Sequence, residues 1–161
     1  MEIKLTKLVR ILIVVLGFSF ITNAQETIVS GSITYKILSG TNNVEAIDYD
    51  EAGGAIVAIP SSFFFGRYTV ISIGDSAFKG NSLTSVSIPN TVTSIGVGAF
   101  EDNYLIAASI PNSVTSIGDN AFKDNSLTSI IIGTGVTNIG AQAFYNKDTD
   151  ASSLTSVSSF L

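Results

Sequence analysis

A mainly β solenoid is the fold class this sequence predicts, wound from 22-residue coils with short helical or 3₁₀ turns and carrying a small N-terminal β cap. Three observations point to it. Ile73-Gly74 recurs as Ile95-Gly96, Ile117-Gly118 and Ile139-Gly140, at intervals of 22 residues. Ala77-Phe78, Ala99-Phe100, Ala121-Phe122 and Ala143-Phe144 keep the same interval, as do Val70, Val92, Val114 and Val136. The chain of 161 residues is 45% hydrophobic with a net charge of −5 and no cysteine, so its core must form without disulfides or thiolate metal sites.

Along the chain, residues 1–24 combine Lys4, Lys7 and Arg10 with an apolar run from Ile11 to Ile21 and a small residue, Ala24. This predicts a secretory signal peptide cut between Ala24 and Gln25. The apolar run is shorter than the roughly 20 residues a membrane helix needs, so no span is expected after cleavage. Cleavage removes three bases and one acid, leaving a mature charge of −7. The acidic balance argues against nucleic acid, which is gripped by Lys and Arg.

Residues 25–67 lack the regular period. Alternation at Ile33, Tyr35 and Ile37, the turn signal Asn42-Asn43, and Gly53-Gly54 before "AIVAIPS" predict two or three antiparallel strands, the cap. A variant first coil follows, because Ile59-Pro60 matches Ile88-Pro89 while seven extra residues, including Phe63, Phe64, Phe65 and Gly66, precede Val70. Those phenylalanines read either as a loop folded over the coil edge or as an exposed apolar contact patch.

Residues 68–161 then form the solenoid. Leu83, Val86 and Ile88 mark a short strand with one buried face, ended by Pro89 because proline cannot donate to a ladder. Val92 and Ile95 mark a second extended piece, and Ala99-Phe100 a 3₁₀ or single-turn corner. One coil alone cannot offset the entropy of ordering its chain, so coils must bury one another. The last repeat is expected to be incomplete: five residues are inserted before Leu154, and after Val157 the sequence holds only Ser158, Ser159, Phe160 and Leu161. That expectation makes edge-to-edge self-association through the C-terminal coil a candidate interaction.

The unit "LTSVSIPNTVTSIGVGAF" at residues 83–100 resembles the BspA-like, or Treponema pallidum-type, branch of the leucine-rich-repeat family, and the likeness runs from Tyr68 to Val157. It implies a secreted or surface-displayed bacterial protein that binds or adheres to a protein or glycan, not an enzyme. Departures are Gly133 in place of proline, Ala107-Ala108 in one strand, and asparagine at 81, 103 and 125, where relatives often carry cysteine.

The residues themselves exclude several chemistries. Without His or Cys there is no Ser-His-Asp or Cys-His nucleophile and no imidazole metal site. Carboxylates occupy variable repeat positions: Asp75 and Asp119 share theirs with Val97 and Ala141. The stretch with Glu45, Asp48, Asp50 and Glu51 fails as a calcium loop opening at Asp48, since Ile59 stands where the bidentate Glu belongs; it reads as a solvated turn. No cofactor is expected. Asn81, Asn103 and Asn125 are read as a structural ladder serving backbone groups. The candidate binding surface is the outward side of the first strand of each coil, with Ser85, Ser87, Ser109, Ser129 and Ile131 as its residues. Beside a binding and adhesion module, the other reading is a structural spacer or array fragment with no ligand of its own.

Overall fold

The computed structural model describes residues 27–146 and the backbone of a strand at 156–159. The expected signal peptide and most of the insertion before Leu154 lie outside the described residues. The described chain is almost entirely strand and turn, wound as a β solenoid of about 22 residues per coil. In order these strands are β1 (Thr27–Ser30), β2 (Ile33–Ile37), β3 (Asn43–Tyr49), β4 (Ile56–Ala58), β5 (Ser62–Phe63), β6 (Tyr68–Ile73), β7 (Ser85–Ser87), β8 (Ser94–Ile95), β9 (Ala107–Ile110), β10 (Ser116–Ile117), β11 (Ser129–Ile132), β12 (Asn138–Ile139) and β13 (Ser156–Ser159). A 3₁₀ turn at Glu51–Gly53 lies between β3 and β4.

Two parallel rows follow from the two extended pieces of each repeat. The first contains β4 on β7, with Val57 opposite Val86, and β9–β11–β13, with Ala108, Ile130 and Val157 in register. The row is not hydrogen-bonded between β7 and β9, so it forms a two-stranded and a three-stranded sheet. Ala107 and Ala108 nonetheless pair with β11; the break lies on their N-terminal side.

The second row runs β3–β6–β8–β10–β12. Val92 and Ile95 are both buried although three apart, so strict alternation cannot persist and β8 is only two residues long. Threonine hydroxyls extend the pairing: Thr93, Thr115 and Thr137 each donate to a carbonyl one coil earlier, at 3.1 Å.

The third side is the Ala-Phe corner. Two successive turns close it, from Gly74 O to Ala77 N and from Ser76 O to Lys79 N, in place of the expected 3₁₀ or helical turn. The reason is backbone handedness: Ser76, Gly98, Asn120 and Gln142 all have φ between 55° and 59°, which a right-handed helix cannot accommodate. Phe78, Phe100, Phe122 and Phe144 stack through these corners with centroids 5.1, 5.0 and 5.4 Å apart. Tyr49 continues the stack toward the N-terminus, 5.5 Å from Phe78.

The N-terminal region decides between the expectations for residues 25–67. β1, β2 and β3 are antiparallel, whereas the "AIVAIPS" strand does not join them: β4 pairs parallel with β7, in the register that the match of Ile59-Pro60 with Ile88-Pro89 implies. β3 likewise pairs parallel with β6. Parallel pairing in the second row therefore begins at β3, where Val44 takes the buried place opposite Val70. The triple phenylalanine is not a loop folded over the coil edge, and two of its three rings are exposed apolar groups. Phe63 packs on Tyr35 at 4.6 Å, while Phe64 and Phe65 form the exposed tip of a β5–β6 hairpin.

Candidate binding surface

The first row, in two sheets parted between β7 and β9, turns mostly small side chains to solvent, with Ile56 and Ile131 among them. Its strands bury Val57, Ala108 and Ile130 and turn the residues beside them outward. Ser85, Ser87, Ser109 and Ile131 are exposed and Ser129 is half-buried. Register aligns Ser85 with Ile56, Ala107 with Ser129, and Ser109 with Ile131. Thr84 and Thr128, at the margin, each donate a hydroxyl to the preceding coil, to Ala55 O and Ile106 O at 3.3 Å.

Sequence reasoning missed the two largest groups at this margin. Tyr104 and Ile106 are 55% and 58% exposed and lead into β9. They stand where the flanking coils carry Ser82 and Thr84, or Ser126 and Thr128. That departure from the repeat was the available signal. The strip is free of aromatics in itself, yet an aromatic ring flanks it.

The asparagines lie elsewhere, inside the corner. Asn103 Oδ1 accepts from Leu83 N at 2.9 Å and Asn81 N at 3.1 Å, and its Nδ2 donates to Phe78 O and Phe100 O at 2.8 and 3.0 Å. Asn125 repeats this one coil on, accepting from Leu105 N and donating to Phe100 O and Phe122 O. Asn81 differs: it is half-buried and donates to Lys79 O in its own coil. Asn146, at an interval of 21, accepts from Leu127 N at 3.0 Å.

Among the described residues the charges are spread along the coils. Glu101 lies between Lys79 at 2.8 Å and Lys123 at 3.9 Å, and the hydrogen bond and charge of Glu101 raise the Lys79 ammonium above its ordinary value. The acidic stretch at residues 45–51 is divided between a strand and a turn, not gathered in one solvated turn. Glu45 and Asp48 lie on β3, whereas Asp50 Oδ1 caps the 3₁₀ turn by accepting from Ala52 N at 3.1 Å. Among the described residues no group of three or more carboxylates could hold a metal ion. No helix among them is long and apolar enough to cross a membrane.

The profile of the BspA-type leucine-rich-repeat region matches residues 61–160 with six copies. No curated protein matches the chain. Among solved structures, a leucine-rich-repeat protein of Bacteroides capillosus superposes with a TM-score of 0.68 at 24% identity, over 84% of this chain and 99% of that one. The T. pallidum leucine-rich-repeat protein gives 0.53 at 21% identity, over 74% of this chain and 67% of that one. One from Bacteroides ovatus gives 0.54 at 31% identity, over 81% of this chain but only 40% of that one.

Proposed function

Because this chain belongs to the BspA-type leucine-rich-repeat family, whose repeats are binding or structural modules, we propose that it is a non-enzymatic, secreted or cell-surface adhesion module that binds a protein or glycan. The observation that carries this reading is the pairing of a row of small residues, Ser85, Ser87, Ser109 and Ser129, with four large apolar groups at its margin or on it: Ile56, Tyr104, Ile106 and Ile131. Small residues let a partner approach the sheet closely, and aromatic or aliphatic anchors concentrate binding energy. An exposed cluster of this kind is characteristic of contact surfaces more than of solvated ones.

The test is binding to a panel of purified extracellular-matrix proteins and polysaccharides. Tyr104→Ala combined with Ile106→Ser is expected to weaken the strongest interaction by about tenfold or more, since burial of each group contributes about 1.5–3 kcal/mol. Ser109→Trp should do the same by obstruction. Unchanged binding by both variants, with thermal unfolding intact, would remove this face from consideration.

The spacer reading has one observation in its favour. Ile139 is 46% exposed, whereas its counterparts Ile73, Ile95 and Ile117 are buried at 0–2%. A further coil, or the edge of another copy, stacked beyond β12 would bury it, as expected of a segment in a repeat array that pairs edge to edge.

A further inference from the structure

We propose that a second copy of this chain seats the tip of its β5–β6 hairpin, carrying Phe64, Phe65 and Arg67, in a groove at the far end of β6. The tip is built to project. Arg67 N donates to Phe64 O at 3.1 Å, closing a tight turn, and Phe64, Phe65 and Gly66 have φ of 50°, 57° and 79°. Positive φ at both central residues is the hairpin geometry that favours Asn-Gly or Asp-Gly. A phenylalanine held there is strained by about 1 kcal/mol and also fully exposed. Strain of this order persists where surrounding structure holds it for a purpose.

That surrounding structure is aromatic. Phe63 lies 4.6 Å from Tyr35 and 5.6 Å from Tyr68, Phe64 packs edge-on to Phe63 at 5.4 Å, and Arg67 stands over the Tyr68 ring at 5.6 Å. Among the described cations, Lys36, Lys79 and Lys123 face carboxylates. The Arg67 guanidinium is instead held against a ring, where it can meet a carboxylate from outside.

The groove has the complementary character. It encloses about 530 Å³ across the Ile-Gly corners, in the size range of ligand pockets. Gly74, Gly96 and Gly118 leave it without side chains at the corner, Val97 supplies an apolar wall, and Asp75, whose Oδ1 accepts from Val97 N at 2.8 Å, supplies negative charge beside Glu45, which faces Lys36 at 3.8 Å. The tip lies before Tyr68 and the groove around Ile73 and Gly74, so the length of β6, roughly 17 Å, separates them. A buttressed hairpin cannot fold back over that distance. The contact must be between copies, head to tail and outside the coil edges.

Two aromatic rings and a guanidinium bury less than the roughly 800 Å² per partner of a standard interface. The association is therefore weak and concentration-dependent. In sedimentation equilibrium of the full chain, the average mass should rise between micromolar and millimolar concentration. Phe65→Ser, at an exposed site, should weaken the association by about tenfold or more. Arg67→Glu and Val97→Arg should each abolish self-association, and a mixture of the two should restore pairs, because the unaltered tip of the Val97→Arg copy meets the unaltered groove of the Arg67→Glu copy. A single species throughout the range overturns the proposal. So does association that survives Phe65→Ser but is lost in Ile139→Lys, which would assign it to the coil edge. Phe65-dependent cosedimentation with phosphatidylcholine–phosphatidylglycerol vesicles by a chain that stays monomeric would overturn it in favour of lipid.

Discussion

Asn125 places a side chain where the corner of one coil would otherwise leave backbone groups unpaired. Its Oδ1 accepts from Leu105 N at 3.0 Å, and its Nδ2 serves Phe100 O and Phe122 O, both at 2.9 Å, so one amide joins two coils. Asparagine can do this because it presents donor and acceptor on one short planar group. Asn125→Ala is expected to lower unfolding free energy by about 3 kcal/mol, since more than one buried backbone group loses its partner. Asn103→Ala should behave alike. Asn81→Ala should cost less than about 1 kcal/mol, because its bond to Lys79 O at 3.2 Å lies within an exposed turn. Urea denaturation of the three variants checks the order; equal losses would mean that the side chains act through local turn propensity and not between coils.

At the scale of the repeated element, the corners approach so closely that glycine is required for space and not for backbone freedom. A Cβ on Gly118 would lie 2.6 Å from Val97 N and 2.7 Å from Gly96 C, both backbone atoms that cannot swing away. Gly118→Ala should therefore force neighbouring coils apart and destabilise by about 2 kcal/mol, as overpacking does. Gly80 sets the contrast: its φ is 70° and nothing lies within 4 Å of a Cβ there, so Gly80→Asn should be nearly neutral. Chemical denaturation distinguishes them. The same stacking explains what the sequence made legible. Every coil meets its neighbours in one register, so Gly74, Gly96, Gly118 and Gly140, or the four stacked phenylalanines, repeat at 22 residues. β4 was legible only through Ile59-Pro60, whose match to Ile88-Pro89 sets Ile56 opposite Ser85, because an irregular insertion breaks the period. Tyr104 and Ile106 escaped for the opposite reason: a search for what recurs passes over single departures.

For the whole molecule the question is whether the N-terminal strands and the coils unfold as one. β3 belongs to both, antiparallel to β2 and parallel to β6, and Tyr49 stacks on Phe78, so the packing is continuous. Tyr35 offers a way to test this. Its ring is fully buried, its hydroxyl has no hydrogen-bond partner among the described residues, and burial pushes its pKa up to about 12 from 10.0. Below pH 10 the phenol is neutral in both folded and unfolded chains and stability is unaffected by its titration. As pH rises from 10 toward 12 the unfolded chain releases the proton first, so stability falls, by on the order of 2 kcal/mol across the window. Tyr49 is raised in the same direction by burial and by Asp50 and adds to the loss. Tyr35→Phe should retain or slightly increase stability at neutral pH, because it removes an unpaired buried hydroxyl, and should flatten the alkaline decline. Urea transitions between pH 8 and 11.5 would be followed by tyrosine fluorescence and by far-ultraviolet circular dichroism. A single unit requires the two probes to coincide at every pH, and the dichroism of the distant coils to move with Tyr35. Separate transitions, with dichroism insensitive to Tyr35→Phe, would make β1 and β2 an appendage whose loss leaves the coils standing.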